Sequence, residues 1–319
     1  GITSLFSHQA EALGFVRAGR DVLVSTATAS GKSLIYDLAI AERALARRDA
    51  RALLLFPLNA LEQDQLQSLR ADFAALPVLE GPTAEIYDGD TSPYQRKRIR
   101  EQPPNALFTT PDMLHFGILP GHDAWKEFMR GLELVVVDEV HAYRGVLGAH
   151  FAQIMRRLLR IARHHGADPR IVACSATIGN PAAFARELFG RELELVCDDG
   201  SPQPSRWLVF VEPDASAHTT AARLFRHCIR AGLRTIAFTQ SRRTTELMHR
   251  WIVEAEPQLG HRVSSYRSGF LPEERREIEK RLFEGDLLGV VSTSALEMGI
   301  DVGGLDACIL VGYPGSILA

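Results

Sequence analysis

The sequence predicts an α/β protein built from two tandem, doubly wound parallel-sheet domains. Three observations support this expectation. Short apolar runs alternate with helical stretches through both halves of the chain, as strands and crossover helices do in parallel sheets. The length of 319 residues suits two domains of ordinary size. Residues 199–205 contain two prolines and a glycine without apolar periodicity, which is typical of a connector between domains.

The first predicted domain covers residues 1–198 and contains seven strand candidates. These candidates are 22–25, 52–56, 84–87, 106–109, 132–137, 171–175 and 193–196. The run 132–137 is almost continuously apolar, which predicts a strand that is buried on both faces. The stretches between the candidates have apolar residues at helical spacing, and one such helix is predicted over 34–45.

The second predicted domain covers residues 206–319 and repeats this plan without a second Gly-Lys-Ser. Its strand candidates are 207–211, 235–238, 262–266, 289–292 and 307–311. Its helix candidates are 219–231, 242–256, 273–283 and 295–298. The helix that follows Pro272 is the best marked, because Glu273 and Glu274 occupy its first turn and Gly285 follows its end.

A phosphate-binding loop is predicted where the first strand meets the first crossover helix. The sequence Gly31-Lys32-Ser33 lies between them, so backbone N–H groups and the helix dipole favour bound phosphate. Lys32 adds a positive charge at the β- and γ-phosphates, and the Ser33 hydroxyl can bind Mg²⁺. Thr26 occupies the position of the usual first glycine, so the loop is a variant form.

An acidic pair follows the predicted buried strand 132–137. Asp138 and Glu139 would lie at the carboxyl edge of the sheet, where open α/β sheets bind ligands. Asp138 is expected to hold Mg²⁺, and Glu139 to orient or deprotonate the attacking water. A lone Gly-Lys-Ser is equally consistent with a solvated helix start, but the acidic pair favours a nucleoside triphosphate site.

Composition and charge exclude several other classes of protein. No run of 18 apolar residues is free of charge, so no membrane span is expected. The four cysteines are far apart, which favours core residues in a reducing cytoplasm over a disulfide framework or a cysteine zinc site. Cytoplasmic location, at the nucleoid in a prokaryote, is therefore expected. The net charge of −3 argues against bulk adhesion to nucleic acid, although arginine clusters occur.

Several short motifs occur in one fixed order along the chain, and this order is a more specific signal than any single motif. They are residues 5–9, 28–33, 57–61, 87–91, 109–112, 138–141, 175–177, 238–242, 266–269 and 292–301. In this order they resemble superfamily 2 helicases of the DExH branch, especially the MrfA-like (Hrq-type) repair helicases. The resemblance implies two RecA-like domains, ATP and Mg²⁺ as cofactors, and 3′→5′ movement along single-stranded nucleic acid. DNA is expected rather than RNA, with a role in DNA repair.

The resemblance also assigns residues to roles. The catalytic set is Lys32, Asp138, Glu139 and His141. The nucleotide-binding set is Gln9, which would contact adenine, with Thr28, Ala29, Ser30, Gly31, Lys32, Ser33, Gly299 and Asp301, and Mg²⁺ would bind Ser33 and Asp138. The strand-binding set is Pro57, Asn59, Gly89, Thr110, Pro111, Thr239, Ser241, Arg242, Arg267, Ser268, Thr293 and Ser294. Such hydroxyl, backbone and guanidinium groups bind a sugar-phosphate backbone without reading bases.

Ser175 and Thr177 are expected to couple the nucleotide and strand sites, with His141 hydrogen-bonded to their motif. In isolation, residues 175–177 are more typical of a helix N-cap, and a lone histidine is usually a core residue. The arginine-bearing motif that follows in the family lies beyond Ala319. Because such an arginine finger accelerates hydrolysis roughly 10³–10⁵-fold, this chain is expected to bind ATP and to hydrolyse it poorly.

Three other functions remain open at this point. The motifs do not separate DNA from RNA, so an RNA helicase is one alternative. A nucleic-acid-binding module that responds to nucleotide without turnover is a second. A basic scaffold that binds nucleic acid without ATP is a third, and it predicts equal strand affinity with and without nucleotide.

Overall fold

The computed structural model describes residues 2–57, 59–78, 81–202, 205–213, 216–267, 269–293, 296 and 304–313. The chain divides into two compact units, Gly1–Pro204 and Ser205–Ala319. This division lies within the predicted connector 199–205.

The first unit contains a seven-stranded parallel sheet. Its strands are β1 (Val22–Ser25), β2 (Arg51–Leu55), β3 (Ala84–Ile86), β4 (Ala106–Thr109), β5 (Leu132–Val137), β6 (Arg170–Ser175) and β7 (Glu194–Val196). They lie in the order β3-β4-β2-β5-β6-β1-β7, and every described pairing is parallel. The sheet order reverses direction beside β1, so the doubly wound architecture expected from the sequence is confirmed.

Helices cover both faces of this sheet. They are α1 (Ser7–Arg17), α2 (Ser33–Ala46), α3 (Asn59–Ala74), α4 (Pro93–Glu101), α5 (Pro111–Met113), α6 (Lys126–Arg130), α7 (Gly145–His164) and α8 (Pro181–Phe189). A π-helical segment spans Leu114–Ile118, and 3₁₀ segments span Leu119–Trp125 and Val140–Ala142. Side chains of β5 alternate between two cores, with Val135 and Val137 in one and Leu134 and Val136 in the other. Burial on both faces explains why β5 is apolar except at Glu133 near its start.

The second unit contains a four-stranded parallel sheet. Its strands are β8 (Thr235–Phe238), β9 (Val263–Tyr266), β10 (Gly289–Ser292) and β11 (Ala307–Leu310), in the order β11-β8-β10-β9. Its helices are α9 (Ala217–Arg230), α10 (Arg242–Ala255) and α11 (Pro272–Phe283), with a 3₁₀ segment at Pro257–Leu259. Helix α11 begins and ends as its end signals predict, with Gly285 in a left-handed conformation at φ 82°. The predicted helix 295–298 lies outside the described residues except for Leu296.

The strand predicted at 207–211 is wrong. The described segment 205–213 forms neither helix nor strand, and its apolar side chains face solvent, with Trp207 92% and Phe210 89% exposed. An apolar run has the propensity for a strand, but a strand forms only where a neighbouring strand supplies backbone hydrogen bonds. Among the described residues, no helix is both long and apolar enough to span a membrane.

Candidate functional site

The phosphate-binding loop connects β1 to α2 at the carboxyl edge of the first sheet. Ala29 and Gly31 both adopt left-handed backbone conformations, at φ 62° and φ 75°. Lys32 then has helical angles, and α2 begins at Ser33. Alternation of left- and right-handed residues turns successive N–H groups toward one point, which forms an anion-binding concavity at the helix N-terminus.

Two side chains of α1 hold this loop in place. The Gln9 amide nitrogen donates to the Gly31 carbonyl at 2.8 Å, and its oxygen accepts the Phe6 N–H at 2.9 Å. His8 Nε2 lies 3.0 Å from the Ser30 carbonyl oxygen. Both amide atoms of Gln9 are thus bonded within the chain, and its contact with adenine stays a prediction.

Thr26 occupies the position of the usual first glycine and contacts another residue of the loop. Its hydroxyl is buried and lies 2.8 Å from the Ser30 hydroxyl, so the side chain braces the loop from inside. Outside the loop, the Asp199 carboxylate accepts the Ala27 N–H at 3.1 Å. Thr26 therefore fits the loop as an internal brace.

The Lys32 ammonium is bonded only to neutral carbonyl groups among the described residues. Its Nζ donates to the Ala27 oxygen at 2.7 Å and to the Thr26 oxygen at 3.3 Å. Phosphate oxygens form stronger, charge-assisted hydrogen bonds than carbonyls do. The lysine is therefore positioned to exchange these two internal bonds for a polyphosphate.

Asp138 follows β5, next to the phosphate-binding loop. Its Oδ2 accepts the Tyr36 hydroxyl at 3.0 Å, and its Oδ1 accepts the Glu139 N–H at 2.8 Å. Removal from water, and secondly the Glu139 charge, raise the pKa of Asp138 to about 6. The carboxylate is thus held in one orientation in surroundings where a bound cation would favour its ionised form.

Glu139 has a left-handed backbone at φ 49°, which is rare for a residue other than glycine. Removal from water raises the pKa of Glu139, and the positive charge of Lys32 lowers it. The same lysine lowers the pKa of Asp138. The loop and the acidic pair therefore act on each other electrostatically and belong to one site.

His141 links the acidic pair to the motif at residues 175–177. Its Nδ1 accepts the Ala176 N–H at 3.3 Å, which is the contact expected from the sequence. The same Nδ1 lies 3.3 Å from a Glu139 carboxylate oxygen. Removal from water lowers the pKa of His141, which favours the neutral ring, and an Nδ1 that accepts the Ala176 N–H has no proton to donate to Glu139.

The alternative that residues 175–177 form a helix N-cap is wrong. Ser175 ends β6, and the following helix α8 begins at Pro181 with Asn180 as its N-cap. The Ser175 hydroxyl is buried and has no hydrogen-bond partner among the described residues, whereas Thr177 is exposed. Their role in coupling stays a prediction.

Predicted strand-binding residues of the first unit lie at one edge of its sheet. Pro57, Gly89 and Thr110 follow the carboxyl ends of β2, β3 and β4, which are neighbours in the sheet. The Thr110 hydroxyl accepts the Met113 N–H at 3.2 Å and caps α5, which begins at Pro111. Asn59 begins α3, and its side chain lies outside the described set.

In the second unit, Ser241 and Arg242 are exposed at the start of α10, and the Ser241 hydroxyl caps that helix. Thr239 needs a correction, because its hydroxyl is buried and lies 2.6 Å from the Thr245 hydroxyl. It braces the loop and does not present a hydroxyl to a strand. Thr293 directly follows β10 and is almost fully buried.

Arg267 is also engaged within the second unit. Its Nε donates to the Glu246 carboxylate at 2.7 Å, and its guanidinium lies over the Phe270 ring at 4.6 Å from the ring centroid. The remaining predicted residues, Ser268, Ser294, Gly299 and Asp301, lie outside the described part of the chain.

Sequence reasoning missed two polar groups beside the acidic pair. Tyr36 is fully buried and donates to Asp138, and Asp37 is buried with a raised pKa caused by burial, Asp72 and Asp138. Tyr36 lies one helical turn after Lys32, so it shares that face of α2. This spacing was the available signal, but it does not reveal which group lies opposite.

Comparison with known proteins agrees with this geometry. Residues 6–184 match the DEAD/DEAH box helicase family, and residues 219–318 match the helicase conserved C-terminal domain. The chain is 40% identical to the ATP-dependent helicase YprA of Bacillus subtilis, over 99% of this chain and 43% of that protein. It is 38% identical to the ATP-dependent helicase HRQ1 of Saccharomyces cerevisiae, over 98% of this chain and 31% of that protein.

Solved structures give the same result. The crystal structure of the DUF1998 helicase MrfA bound to DNA matches with a TM-score of 0.91 at 39% identity, over 99% of this chain and 46% of that one. Helicase Lhr of Mycobacterium smegmatis, bound to single-stranded DNA and AMP-PNP, matches with a TM-score of 0.76 at 27% identity, over 97% of this chain and 42% of that one. The chain spans less than half the length of these relatives. It belongs to the DEAD/DEAH box helicases and has the RecA-like core of the Hrq1- and MrfA-like group.

Proposed function

We propose that this chain is the core of an ATP-dependent DNA helicase that moves along single-stranded DNA. The observation that carries the proposal is the single site formed by the phosphate-binding loop and the Asp138–Glu139 pair. Burial raises the pKa of both carboxyl groups, and the positive charge of Lys32 opposes that rise, as a lysine at a shared polyphosphate and metal site would.

The donor set fits ATP and Mg²⁺. Gly31 allows the Gln9 side chain to approach the loop closely, since a Cβ at residue 31 would lie only 2.7 Å from Gln9 Nε2. Among the described residues, neither Asp138 nor Glu139 forms an ion pair with a lysine or arginine, and the Glu139 carboxylate lies 3.3 Å from His141 Nδ1. Hard oxygen ligands such as Ser33 and Asp138 suit Mg²⁺, which when bound would neutralise phosphate charge.

Within this proposal each side chain has one task. Lys32 would bind the β- and γ-phosphates, and Tyr36 holds the Asp138 carboxylate that would bind Mg²⁺. Glu139 accepts a proton from the attacking water, because its raised pKa makes it a stronger base than a solvated carboxylate. His141 Nδ1 contacts both the Glu139 carboxylate and the Ala176 N–H, so a change in the charge of Glu139 would reach the backbone that follows β6.

Strand binding is proposed at the carboxyl edges of the two sheets. In the first unit, Pro57, Gly89, Thr110 and Pro111 provide backbone and hydroxyl groups beside neighbouring strands. In the second, exposed Arg242 supplies a positive charge at a helix N-terminus. Such groups hold phosphates without reading sequence, so we propose strand binding that is independent of base sequence.

We further propose DNA rather than RNA as substrate, 3′→5′ movement, a role in DNA repair, and a cytoplasmic or nucleoid location. Support for DNA comes from the MrfA and Lhr structures, which contain DNA, and support for ATP comes from the names of the helicase relatives. Polarity and repair rest on the motif resemblance alone.

A nucleotide-dependent binding module without turnover is the second candidate. The observation that favours it is the state of Lys32, whose ammonium is bonded to carbonyls of its own loop. An ammonium that is held by its own loop can rearrange when nucleotide binds, and this rearrangement requires no hydrolysis.

One comparison of ATPase rates tests the proposal. Phosphate release is measured with single-stranded DNA, single-stranded RNA, duplex DNA or no nucleic acid, for the complete protein and for its Glu139→Gln variant. We expect stimulation by single-stranded DNA, and we expect Glu139→Gln to keep ATP affinity while its turnover falls by about 10²-fold or more. Nucleotide-dependent strand binding without phosphate release would support the second candidate. Equal strand affinity with and without nucleotide would contradict both.

A further inference from the structure

Two histidines and an aspartate form a cluster that the nucleotide and strand sites do not use. His122 and Asp123 belong to the 3₁₀ segment Leu119–Trp125, and His165 directly follows α7. His122 Nδ1 lies 3.0 Å from His165 Nε2 and 3.5 Å from Asp123 Oδ1. One donor atom from each of the three residues lies within 4.8 Å of the other two.

These separations resemble those of a metal ligand set. In a tetrahedral Zn²⁺ site with bonds of about 2.0–2.2 Å, neighbouring ligand atoms lie about 3.3 Å apart. The distances of 3.0 Å and 3.5 Å fall on either side of that value. The third separation can shorten by rotation of Asp123, because this side chain is 90% exposed.

The histidine pair is well suited to bind a metal ion. Two imidazole nitrogens at 3.0 Å share one proton, since one nitrogen must donate and the other accept. A metal ion that displaces this proton binds both lone pairs, with little movement of either ring. His164 lies beside the pair, with its ring centroid 5.1 Å from that of His165 and 5.8 Å from that of His122.

We propose that His122, Asp123 and His165 bind one divalent transition-metal ion of the Zn²⁺ class, with water or His164 as the fourth ligand. Two imidazoles and one carboxylate suit Zn²⁺, Co²⁺ and Ni²⁺, whereas Mg²⁺ and Ca²⁺ prefer oxygen ligands alone. The ion would fasten segment Leu119–Trp125 to the end of α7. This cross-link lies within the first unit and is independent of the proposed helicase function.

A Zn²⁺ titration followed by calorimetry tests the site. The chain carries no histidine tag, excess Mg²⁺ is present, and Cys197 and Cys308 are replaced by serine because exposed thiols also bind Zn²⁺. We expect one Zn²⁺ per chain, and visible absorption typical of tetrahedral Co²⁺ when cobalt replaces zinc. His122→Ala and His165→Ala should each weaken binding by about tenfold or more.

The matched control is His150→Ala, which removes an exposed histidine within α7 and should leave affinity unchanged. If an alanine variant fails to fold by circular dichroism, Asp123→Asn replaces it, since this exposed side chain contributes little to packing. If each histidine variant folds and still binds Zn²⁺ with the parent's affinity, the proposal is overturned. Where a histidine variant does not fold, unchanged Zn²⁺ affinity of Asp123→Asn overturns it instead. The absence of saturable binding by the parent chain would do so as well.

Discussion

Replacement of Glu62 by glutamine should stabilise the chain relative to its parent, and this difference in the free energy of unfolding should grow as pH rises. Glu62 lies in the first turn of α3 with no solvent exposure, and neither of its carboxyl oxygens has a hydrogen-bond partner among the described residues. Burial, and secondly the nearby Asp88, raise the pKa of Glu62 from 4.5 to about 8. The folded chain therefore keeps this proton at neutral pH, whereas the unfolded chain releases it.

The sign and size of the effect follow from this difference in pKa. Below pH 4.5 both states bind the proton, and between 4.5 and about 8 only the folded state does, so the free energy of unfolding falls as pH rises. The loss is about 1.4 kcal/mol per pH unit, hence about 5 kcal/mol over the whole interval and about 3 kcal/mol at pH 7. Glutamine cannot ionise, so Glu62→Gln should escape this loss.

Urea unfolding at a series of pH values measures the effect. Trp125 is buried in the first unit and reports its unfolding once Trp207 and Trp251 are replaced by phenylalanine. The free energy of unfolding of Glu62→Gln minus that of its parent should grow between pH 4.5 and about 8 and then level off. Any constant offset from the buried amide does not affect this slope.

Glu101→Gln provides the control, because this side chain is 64% exposed on α4. The free energy of unfolding of Glu101→Gln minus that of the parent should be nearly independent of pH over the same range. Parallel pH curves for Glu62→Gln and its parent would refute the reasoning, since they would show that Glu62 titrates alike in the folded and unfolded states.

Three further variants probe the two proposed binding surfaces. Lys32→Ala should weaken binding of a fluorescent ATP analogue by about tenfold or more, because it removes the charge at the phosphates; an unchanged titration would count against the site. Gly31→Ala should lower the free energy of unfolding by about 1 kcal/mol and weaken nucleotide binding, since φ 75° disfavours alanine and the new Cβ would meet Gln9; urea unfolding measures the first effect. Arg242→Ala should weaken single-strand binding equally for all sequences and reduce the salt dependence by about one phosphate contact, unlike Arg250→Ala on the same helix; a loss confined to one sequence would contradict it.

The phosphate-binding loop and the acidic pair were predictable because each is specified locally. The apolar run of β5 and the Gly-Lys-Ser turn of α2 fix where strand and helix begin, and parallel strands bring their carboxyl ends to one edge. The start and end of α11 were predictable for the same reason, since Pro272 and Gly285 act on their own backbone.

Other features depend on neighbours that are remote in sequence. The run 207–211 has strand propensity, but whether it forms a strand depends on an available sheet edge. Thr239 resembled an exposed hydroxyl at a strand end, and only the position of Thr245 shows that it is buried. The hydrogen bond from Tyr36 to Asp138 joins residues 102 positions apart, which no local pattern specifies.

The left-handed backbone at Glu139 lowers the stability of the fold at a residue whose carboxylate is proposed to act in hydrolysis. A residue with a Cβ loses roughly 1–2 kcal/mol in this conformation, whereas glycine loses almost nothing and asparagine little. Substitutions that remove the carboxylate would thus relieve conformational strain in the same step. Under the proposed role of Glu139 as the base for hydrolysis, a screen that scores variants only by abundance or thermal tolerance would rank Glu139→Gly chains above the native one, and selection for turnover would be needed to retain the acid.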